Sequence, residues 1–583
     1  MEALSAFMLN ISKWALPLLA AWLLFRCVRS MLQQKYRPEI WAYIEGPSGE
    51  VQPIYHWECI LGRSRSCDVV VDSPAIAKAH AALIRSGTGK WRLYDLESKT
   101  GSFVGTAEDG GKGLPVCDGD IIRIADVGMV FHDLTEAQLA AVESQRNAPG
   151  RISPAISMLI LTLFQTMLAM QFCFAEDREY LPEIVLGFAA IIAAGWFYYL
   201  IMRAFDRIGF EVETIALFLS SLGIAVVATS APEDMLKQLA LLLAGMVFYV
   251  VLGFWLRDIR RAKLIRWPVA FLALGLLALN LVAGETSYGA QNWLSFGGFT
   301  LQPSEFVKVA FIYTGTTTLD RLFRGRNLFL FIAFSAVCVG ALALMGDFGT
   351  ALIFFCTFLV ISFLRSGSFA TVFLALAGAA LAVMLVLTVK PYVAQRFSTW
   401  GHIWEDPFGA GWQQTQGLSA AAEGGLFGVG AGNGWCKNLF AADTDMVFGL
   451  LSEELGLIIA LIAMLAIVVL AFFAVRSASS GRSSFYVIAA IAAASMMMVQ
   501  LALNCFGCVD ILPFTGVTFP FVSKGGSSLI SCWGLLAFIK ASDTRMNASF
   551  SVKRSYSKKF APVVARYEAM SREMEQEEED DDE

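Results

Sequence analysis

Residues Trp404 to Gln416 read WEDPFGAGWQQTQ. This is a polar, glycine-rich island with two adjacent carboxylates, Glu405 and Asp406, and long apolar runs lie on both sides of it. The fold depends on what those runs are. The chain has 583 residues, of which 56% are hydrophobic and 16% charged, and its mean hydropathy is +0.59. That composition excludes an ordinary soluble globule and a disordered chain, and it points to a polytopic membrane protein. The runs are then membrane spans, and the island is a loop beyond the bilayer.

A spanning helix needs about 20 apolar residues. On that basis about thirteen spans are expected, the first near 8–27. Five follow near 152–174, 183–203, 213–231, 237–256 and 266–283, and four near 304–320, 328–345, 349–365 and 369–389. The last three lie near 446–474, 484–508 and 525–541. Basic loops orient them: RCVRSMLQQKYR after the first span, then RAFDR, RDIRRAKLIR, DRLFRGR and RSASSGR. These belong on the cytoplasmic side. The alternate loops AEDREY, SAPEDM and 284–302 are acidic or weakly charged. The two sets alternate without conflict if the N-terminus starts outside. The first span reads as an uncleaved anchor, because arginines follow it and no small-residue cleavage site does. The loop at roughly 390–445 then lies on the outer face. Trp404, Phe408, Trp412 and Trp435 argue that it is ordered.

The other compositional signals are weaker. The final run EQEEEDDDE reads as a solvated tail. The eleven cysteines fall mostly in apolar spans, where cysteine is a small hydrophobe. Cys505 and Cys508 form a CxxC without a βαβ context. The four histidines, His56, His80, His132 and His402, show no zinc spacing. Nothing points to a nucleic acid.

Residues about 50–135 read as short strands separated by turns: HWECILG, DVVV, AALIRS, KWRLYDL, DIIRIA, MVFHD. Alternation and turn spacing predict a β-sandwich. The succession GRSRSCDVVV, AKAHA, DLESKTGSFV, DGDIIRI resembles a forkhead-associated (FHA) domain, a phosphothreonine-binding sandwich. The resemblance makes Arg63 and Lys78 the phosphopeptide contacts, and His80 and Gly62 structural. Ala77 stands where the family has a phosphate-binding serine, and Thr100 and Gly105 stand where asparagines are usual. Two readings stand: weakened phosphothreonine binding, or a sandwich used for protein contact without phosphate.

Further motifs interrupt the apolar runs: SYGAQNWLSFGGFTLQPSEFVK (287–308), MGDFGTALIF (345–354), DTDMVFGLLSEELG (443–456) and LPFTGVTFPFVSKGGSSL (512–529). With WEDPFGAGWQQTQ, in this order, they resemble the FtsW/RodA/SpoVE family, the SEDS proteins. That resemblance covers about 213–541, ten spans, and leaves the pair near 152–203 outside it. It implies polymerisation of peptidoglycan glycan strands from lipid II. Four positions depart from the family pattern. Asn292 replaces an arginine, Gly346 a proline, Asp443 a histidine and Lys524 a tyrosine. The carboxylates and glycines persist, which reads as an active, divergent member.

The chemistry can be set out independently. In glycan polymerisation a sugar hydroxyl attacks the anomeric carbon of a lipid-linked sugar and a diphosphate departs. The hydroxyl needs a base, and the diphosphate needs cations from side chains or a metal such as Mg²⁺ or Mn²⁺. The base must lie on the outer face. Asp406 does, and the resemblance places the catalytic aspartate there too; a turn-capping aspartate is the plain alternative. Pro407 biases Asp406 toward an extended backbone, and Gly409 and Gly411 allow close approach. Glu405 reads as an electrostatic neighbour or as solvated charge.

Glu305 and Lys308, three apart at the start of a span, share a helix face. They read as substrate-binding or as a structural ion pair. Arg396 reads as a diphosphate contact or a snorkelling arginine. Gln416, Lys524 and Ser527 complete the substrate-binding candidates. Gly525, Gly526, Ser527 and Ser528 also suit close helix packing. Asp347 reads as a helix cap, and Glu453 and Glu454 as lying inside a span.

The expected architecture is a multi-pass α-helical membrane bundle with a soluble all-β FHA-like sandwich. Its parts are an anchor (1–30), the FHA-like domain (50–135), an extra transmembrane pair (150–205), a SEDS glycosyltransferase core (210–545) and a tail, basic then acidic (546–583). The bacterial cytoplasmic membrane is the expected location, with the FHA-like domain and tail cytoplasmic. Lipid II, a class B penicillin-binding protein transpeptidase and a Ser/Thr-phosphorylated protein are the expected partners. Two other functions compete: a flippase for lipid-linked precursors, and a non-catalytic scaffold that recruits a transpeptidase. Neither requires a base in the outer loop.

Overall fold

Each expected apolar stretch falls on a helix in the computed structural model. It describes residues 2–550 except 34–39, 66, 86–89, 110–112, 136–137, 139–151, 175–178, 208, 288–289, 297–298, 319–324, 367–368, 390, 480, 482 and 546–547. The tail beyond 550, basic then acidic, lies outside the described residues. The helices in chain order are α1 (Glu2–Gln33), α2 (Pro154–Cys173), α3 (Leu181–Ala204), α4 (Glu211–Ser230), α5 (Met235–Leu256), the short α6 (Ile259–Leu264) and α7 (Arg266–Ala283). They continue as α8 (Pro303–Thr318), α9 (Gly325–Leu344), α10 (Phe348–Ser366), α11 (Phe369–Val389), α12 (Pro391–Thr399) and α13 (Trp412–Gly424). The last are α14 (Val447–Glu454), α15 (Leu457–Ala478), α16 (Ser484–Cys508) and α17 (Gly526–Ala541). Among the described residues, 8 helices are long and apolar enough to cross a membrane, and shorter apolar helices lie in α9, α10, α11 and α17. Helix α8 carries Glu305 and Lys308, which lowers its hydropathy.

One expected boundary is corrected. The stretch read as a single span over 446–474 is two helices. Gly456, at φ 93°, turns the chain between α14 and α15. A Cβ there would meet the Leu426 carbonyl at 2.3 Å, so both the conformation and the close approach require glycine. Glu453 and Glu454 therefore end the short α14 instead of lying inside a span.

Helix α4 forms the inner axis of one half of the bundle. Its apolar window is wholly buried, enclosed by α1, α2, α3, α5 and α15. The anchor and the extra pair thus wrap the first helix of the core, which has no lipid-facing side left. Glu211 and Glu213 begin α4, where the positive end of the helix suits acidic groups. They meet the far end of α17: Lys540 Nζ lies 3.5 Å from Glu213, and Arg545 contacts both Glu211 and Asp543. Ser549 donates a short hydrogen bond to Glu213. The chain after α17 is thereby held in the bundle by buried, paired charge.

The FHA region is a two-sheet sandwich. Its strands are β1 (Ala42–Glu45), β2 (Val51–Ile54), β3 (Glu58–Gly62), β4 (Val69–Val70), β5 (Ala81–Arg85) and β6 (Trp91–Asp95). They continue as β7 (Ser102–Val104), β8 (Ala107–Glu108), β9 (Leu114–Val116), β10 (Ile121–Ile124) and β11 (Val127–Asp133). The six-stranded sheet runs β2-β1-β11-β10-β7-β8, and the five-stranded one β4-β3-β5-β6-β9. Period-two alternation in β10 sends Ile122 and Ile124 inward and Ile121 and Arg123 outward. The inward set packs with Trp91, Leu83 and Phe131 between the sheets.

The sandwich touches the bundle through β3. Glu58 is buried, and its carboxylate accepts hydrogen bonds from Ser483 Oγ (2.7 Å), Ser484 N (2.8 Å) and Ser484 Oγ (3.0 Å). It supplies acceptors at the start of α16, where backbone N–H groups lack intrahelical partners. His56 Nδ1 lies 3.0 Å from the Gly481 carbonyl beside it.

Candidate functional site

A cavity of about 1510 Å³ opens between α9, α10 and α11 and ends beneath the 390–445 loop. Its long limb is apolar, with Val339, Leu352, Phe355, Leu374 and Val383 in the walls. Its inner end is polar and gathers Asn292, Asp347, Arg396, Asp445, Lys524 and Ser527. These come from five of the motifs picked out in the sequence, or from residues beside them. The segment 285–301 forms a three-stranded sheet, β12 (Glu285–Ser287), β13 (Ala290–Phe296) and β14 (Phe299–Leu301), which presents Asn292.

Asp406 is not itself among the lining residues, but Gly409 and Ala410 of its turn are. It is exposed, and its Oδ2 accepts a hydrogen bond from the Ala410 amide at 2.9 Å. Its own carbonyl accepts from Gly409 N and Gly411 N. The turn-capping geometry is therefore present. Capping occupies one carboxylate oxygen, and Oδ1 accepts from no described residue. Gly409 is required for this arrangement: a Cβ there would lie 2.1 Å from Asp406 Oδ2. Gly409 and Ala410 line the cavity, so the turn sets the carboxylate beside it. Gly411 is equally constrained, its Cβ position 2.3 Å from the Ile403 carbonyl.

Arg396, on α12, lines the polar end, and its Nη1 donates to the Phe514 carbonyl at 3.3 Å. Asp445 lies in the same wall. Burial pushes its carboxyl up to about 6, while Thr444 and Arg396 pull the other way. Asp347 caps α10 as expected, accepting from Thr350 N at 3.0 Å. Its other oxygen is buried without a partner, as are Asn292 Oδ1 and Thr515 Oγ1. With Ser335 Oγ, four orphaned polar atoms belong to cavity-lining residues and mark a site that expects polar company. Asp445 was not singled out in the sequence, although it sits inside a quoted motif. Its only signal there was an acid just before an apolar run.

Glu305 and Lys308 do not reach the cavity. They pair at 2.8 Å with side chains 4% and 1% exposed. Lys308 also donates to Gln500 at 3.0 Å. Gln500 in turn donates to Thr518, and Thr518 shares a hydrogen bond with Ser528 on the cavity wall. The pair therefore stands behind the wall and holds it through a polar chain. Ser527 lines the cavity, and its Oγ lies 3.4 Å from the Gln302 amide. Gln416 is not among the lining residues. Gln413, one helical turn before it on α13, is, and it donates to the Phe440 carbonyl. Lys524 lines the cavity while held by Asp234 (2.9 Å) and Asp443 (3.4 Å). Glu453 anchors the 390–445 loop by accepting from Trp435 N and Cys436 N, and Glu454 accepts from Thr229.

In the sandwich, Arg63 and Lys78 are both exposed and border the loop carrying Ala77. His80 is fully buried and bridges Ala77 N and the Gly101 carbonyl, which makes it structural. A Cβ at Gly62 would meet the Lys78 carbonyl at 2.5 Å, so Gly62 is structural too.

Among the described residues no group of three or more His, Cys, Asp or Glu could cage a metal ion. Any cation at the polar end would depend on single carboxylates and on the ligand's own oxygens.

The FtsW/RodA/SpoVE family model, described as a cell cycle protein, matches residues 200–547, and an FHA domain model matches 59–125. Stage V sporulation protein E of Bacillus subtilis is 35% identical over 266 residues, covering 44% of this chain and 72% of that protein. A probable peptidoglycan glycosyltransferase FtsW of Buchnera aphidicola is 30% identical over 335 residues, covering 54% of this chain and 84% of that protein. A solved chain of a peptidoglycan synthase complex is 26% identical, with a TM-score of 0.48, and covers 57% of this chain and 97% of its own.

Proposed function

This chain is a multi-pass membrane protein that belongs to the FtsW/RodA/SpoVE family and carries an FHA domain ahead of the family core, and on that premise we propose that it is a peptidoglycan glycosyltransferase that polymerises lipid II. One observation carries this reading. An apolar limb and a polar, carboxylate-bearing end share one cavity, and the turn that Asp406 caps lines it through Gly409 and Ala410. A polyprenyl chain suits the limb, a diphosphate the polar end, and sugars the space beneath the outer loop.

Asp406 takes the proton from the attacking hydroxyl. The new bond forms at the anomeric carbon as the bond to the diphosphate breaks, and the lipid diphosphate leaves with the electron pair. A positioned base of this kind contributes about 10²- to 10⁴-fold. Arg396 meets the diphosphate charge, and Ser527 donates to it. Glu305 and Lys308 keep the wall in place behind it. Gln416 supports the α13 face that presents Gln413. A divalent cation would be held mostly by phosphate oxygens, as Mg²⁺ commonly is, with Asp347 Oδ2 as the protein's contribution.

The alternation of basic loops supports an external N-terminus and active loop, with the FHA domain and tail in the cytoplasm. A class B penicillin-binding protein is the expected transpeptidase partner, and a Ser/Thr-phosphorylated protein the expected ligand of the FHA domain. Cys117 tests the orientation, since it is the exposed cysteine of the sandwich. It should react with an impermeant thiol reagent only after cells are opened; labelling of intact cells would invert the topology. The function is tested by giving purified protein lipid II. Wild type should make glycan strands and Asp406→Asn should not. Failure of the wild type to polymerise would return the choice to a flippase or a scaffold.

A further inference from the structure

Two of the four departures from the family pattern meet in space. Asp443 stands where the family has histidine, and Lys524 where it has tyrosine. The Lys524 ammonium lies 3.4 Å from the Asp443 carboxylate and 2.9 Å from Asp234 in the turn between α4 and α5. The Lys524 amide also donates to the Asp443 carbonyl at 2.7 Å. Beside it, Ser523 Oγ donates to the Thr444 carbonyl at 2.6 Å. Three chain segments far apart in sequence are joined at this point.

Two of those segments run directly into the cavity wall. Asp443 leads into Thr444 and Asp445, and Lys524 leads into Ser527 and Ser528 in the first turn of α17; all four of those residues line the cavity. The lysine is also not offered freely to a ligand: its side chain is 28% exposed, and two carboxylates neutralise it. Asp234 is held below its ordinary value chiefly by the hydrogen bond from Lys524, so it is ionised at neutral pH and the pair is charge-assisted.

We propose that Asp234, Lys524 and Asp443 form a positioning clasp that sets the Asp445 wall against the first turn of α17, and that Lys524 acts through this clasp instead of binding the diphosphate itself. The proposal rests on the glycosyltransferase reading above for its catalytic consequence. Its structural consequence does not depend on that reading.

The two roles open to Lys524 give opposite signs. If it were a substrate cation, removing a neutralising acid would strengthen substrate binding, and Asp443→Asn would lower KM. If it is a clasp, Asp443→Asn and Lys524→Met should both lower kcat, by about tenfold for a displaced wall, with KM little changed. The double variant Asp443→His with Lys524→Tyr should recover most of the rate, because an imidazole and a phenol can hydrogen-bond across the same gap. The second readout is hydrogen exchange in the full-length protein. Lys524→Met should raise exchange across 519–528 and 441–446 together, whether or not the protein polymerises lipid II. A lowered KM in Asp443→Asn, or exchange unchanged in both segments, would overturn the clasp. Wild type without polymerase activity but with coupled exchange would leave the clasp standing and remove the function assigned above.

Discussion

The FHA pocket and the membrane cavity both depart from the patterns their resemblances lead one to expect, and they depart differently. In the cavity wall, Asp443 and Lys524, where the resemblance leads one to expect histidine and tyrosine, hold each other. In the sandwich, Ala77 takes the place of a serine, and the neighbouring Arg63 and Lys78 remain exposed. Gly105, where the resemblance leads one to expect asparagine, sits at φ 58°, a conformation asparagine tolerates, so the backbone would accept an amide side chain that the glycine does not supply. A replaced pair indicates a site still held to a geometry. A lost donor with nothing in its place indicates a site whose chemistry has loosened. On this contrast the core should depend steeply on single atoms, and the phosphate pocket should be improvable.

The largest effect belongs to the 390–445 loop. Asp406→Asn should reduce polymerisation of lipid II by about 10³-fold or more while leaving expression and folding intact. A variant that runs at the wild-type rate would show the base to be misassigned. Next comes Gly409→Ala, whose methyl would displace the Asp406 carboxylate. A loss of about 10²-fold is expected in the same assay, without a change in the amount of folded protein. The phosphate pocket should respond in the other direction. Ala77→Ser in the full-length protein should tighten binding of a phosphothreonine peptide by about ten- to a hundredfold, the worth of one hydrogen bond to a charged group. Arg63→Ala should remove what binding remains. Tight wild-type binding that ignores both changes would place the pocket elsewhere.

Asp445 sharpens the contrast through pH. Burial lifts its carboxyl from 3.8 to about 6. Ionisation in the folded state therefore costs stability as pH rises from about 4 through about 6, and the full cost is present above that. Asp445→Asn should melt higher than wild type at about pH 8, with the advantage fading toward about pH 4. An advantage independent of pH would mean that this carboxyl does not titrate there. The smallest effect concerns Glu58. Glu58→Ala should cost about 1 kcal/mol, the usual worth of a helix-capping group, read as a modest drop in Tm. No drop would mean that the sandwich and bundle are held elsewhere.

Much of this was legible in the sequence, for identifiable reasons. Spans are set by unbroken hydropathy, so each long apolar stretch falls on a helix, while the break at Gly456 and the short helices α6, α12 and α13 leave no such signal. The sandwich follows from alternation and turns. The Asp406 turn follows from residue types that only a tight, exposed loop would use. What escaped depended on packing between segments. Glu305 and Lys308 looked like site residues because charge at membrane depth usually marks one, yet Gln500, from a helix almost 200 residues later, holds Lys308 behind the wall. Gln416 and Gln413 are one turn apart on α13, and only the direction of the helix decides which faces the cavity. Asp443 and Lys524 each looked like an isolated departure. Their pairing needed coordinates, because nothing in a single sequence records that two distant positions are neighbours.

The Glu58 contact also has a history in time. Glu58 and Ser483 are separated by 425 positions. At common synthesis rates of about 5–20 residues per second, the sandwich, complete at Asp133, emerges roughly 18 to 70 seconds before the start of α16 at Ser484. A domain that can fold as a unit has that interval to do so. When α16 enters the membrane, the acceptor for its first turn is already waiting at the end of a finished strand. The last helices of the bundle are thus assembled against a part completed among the first.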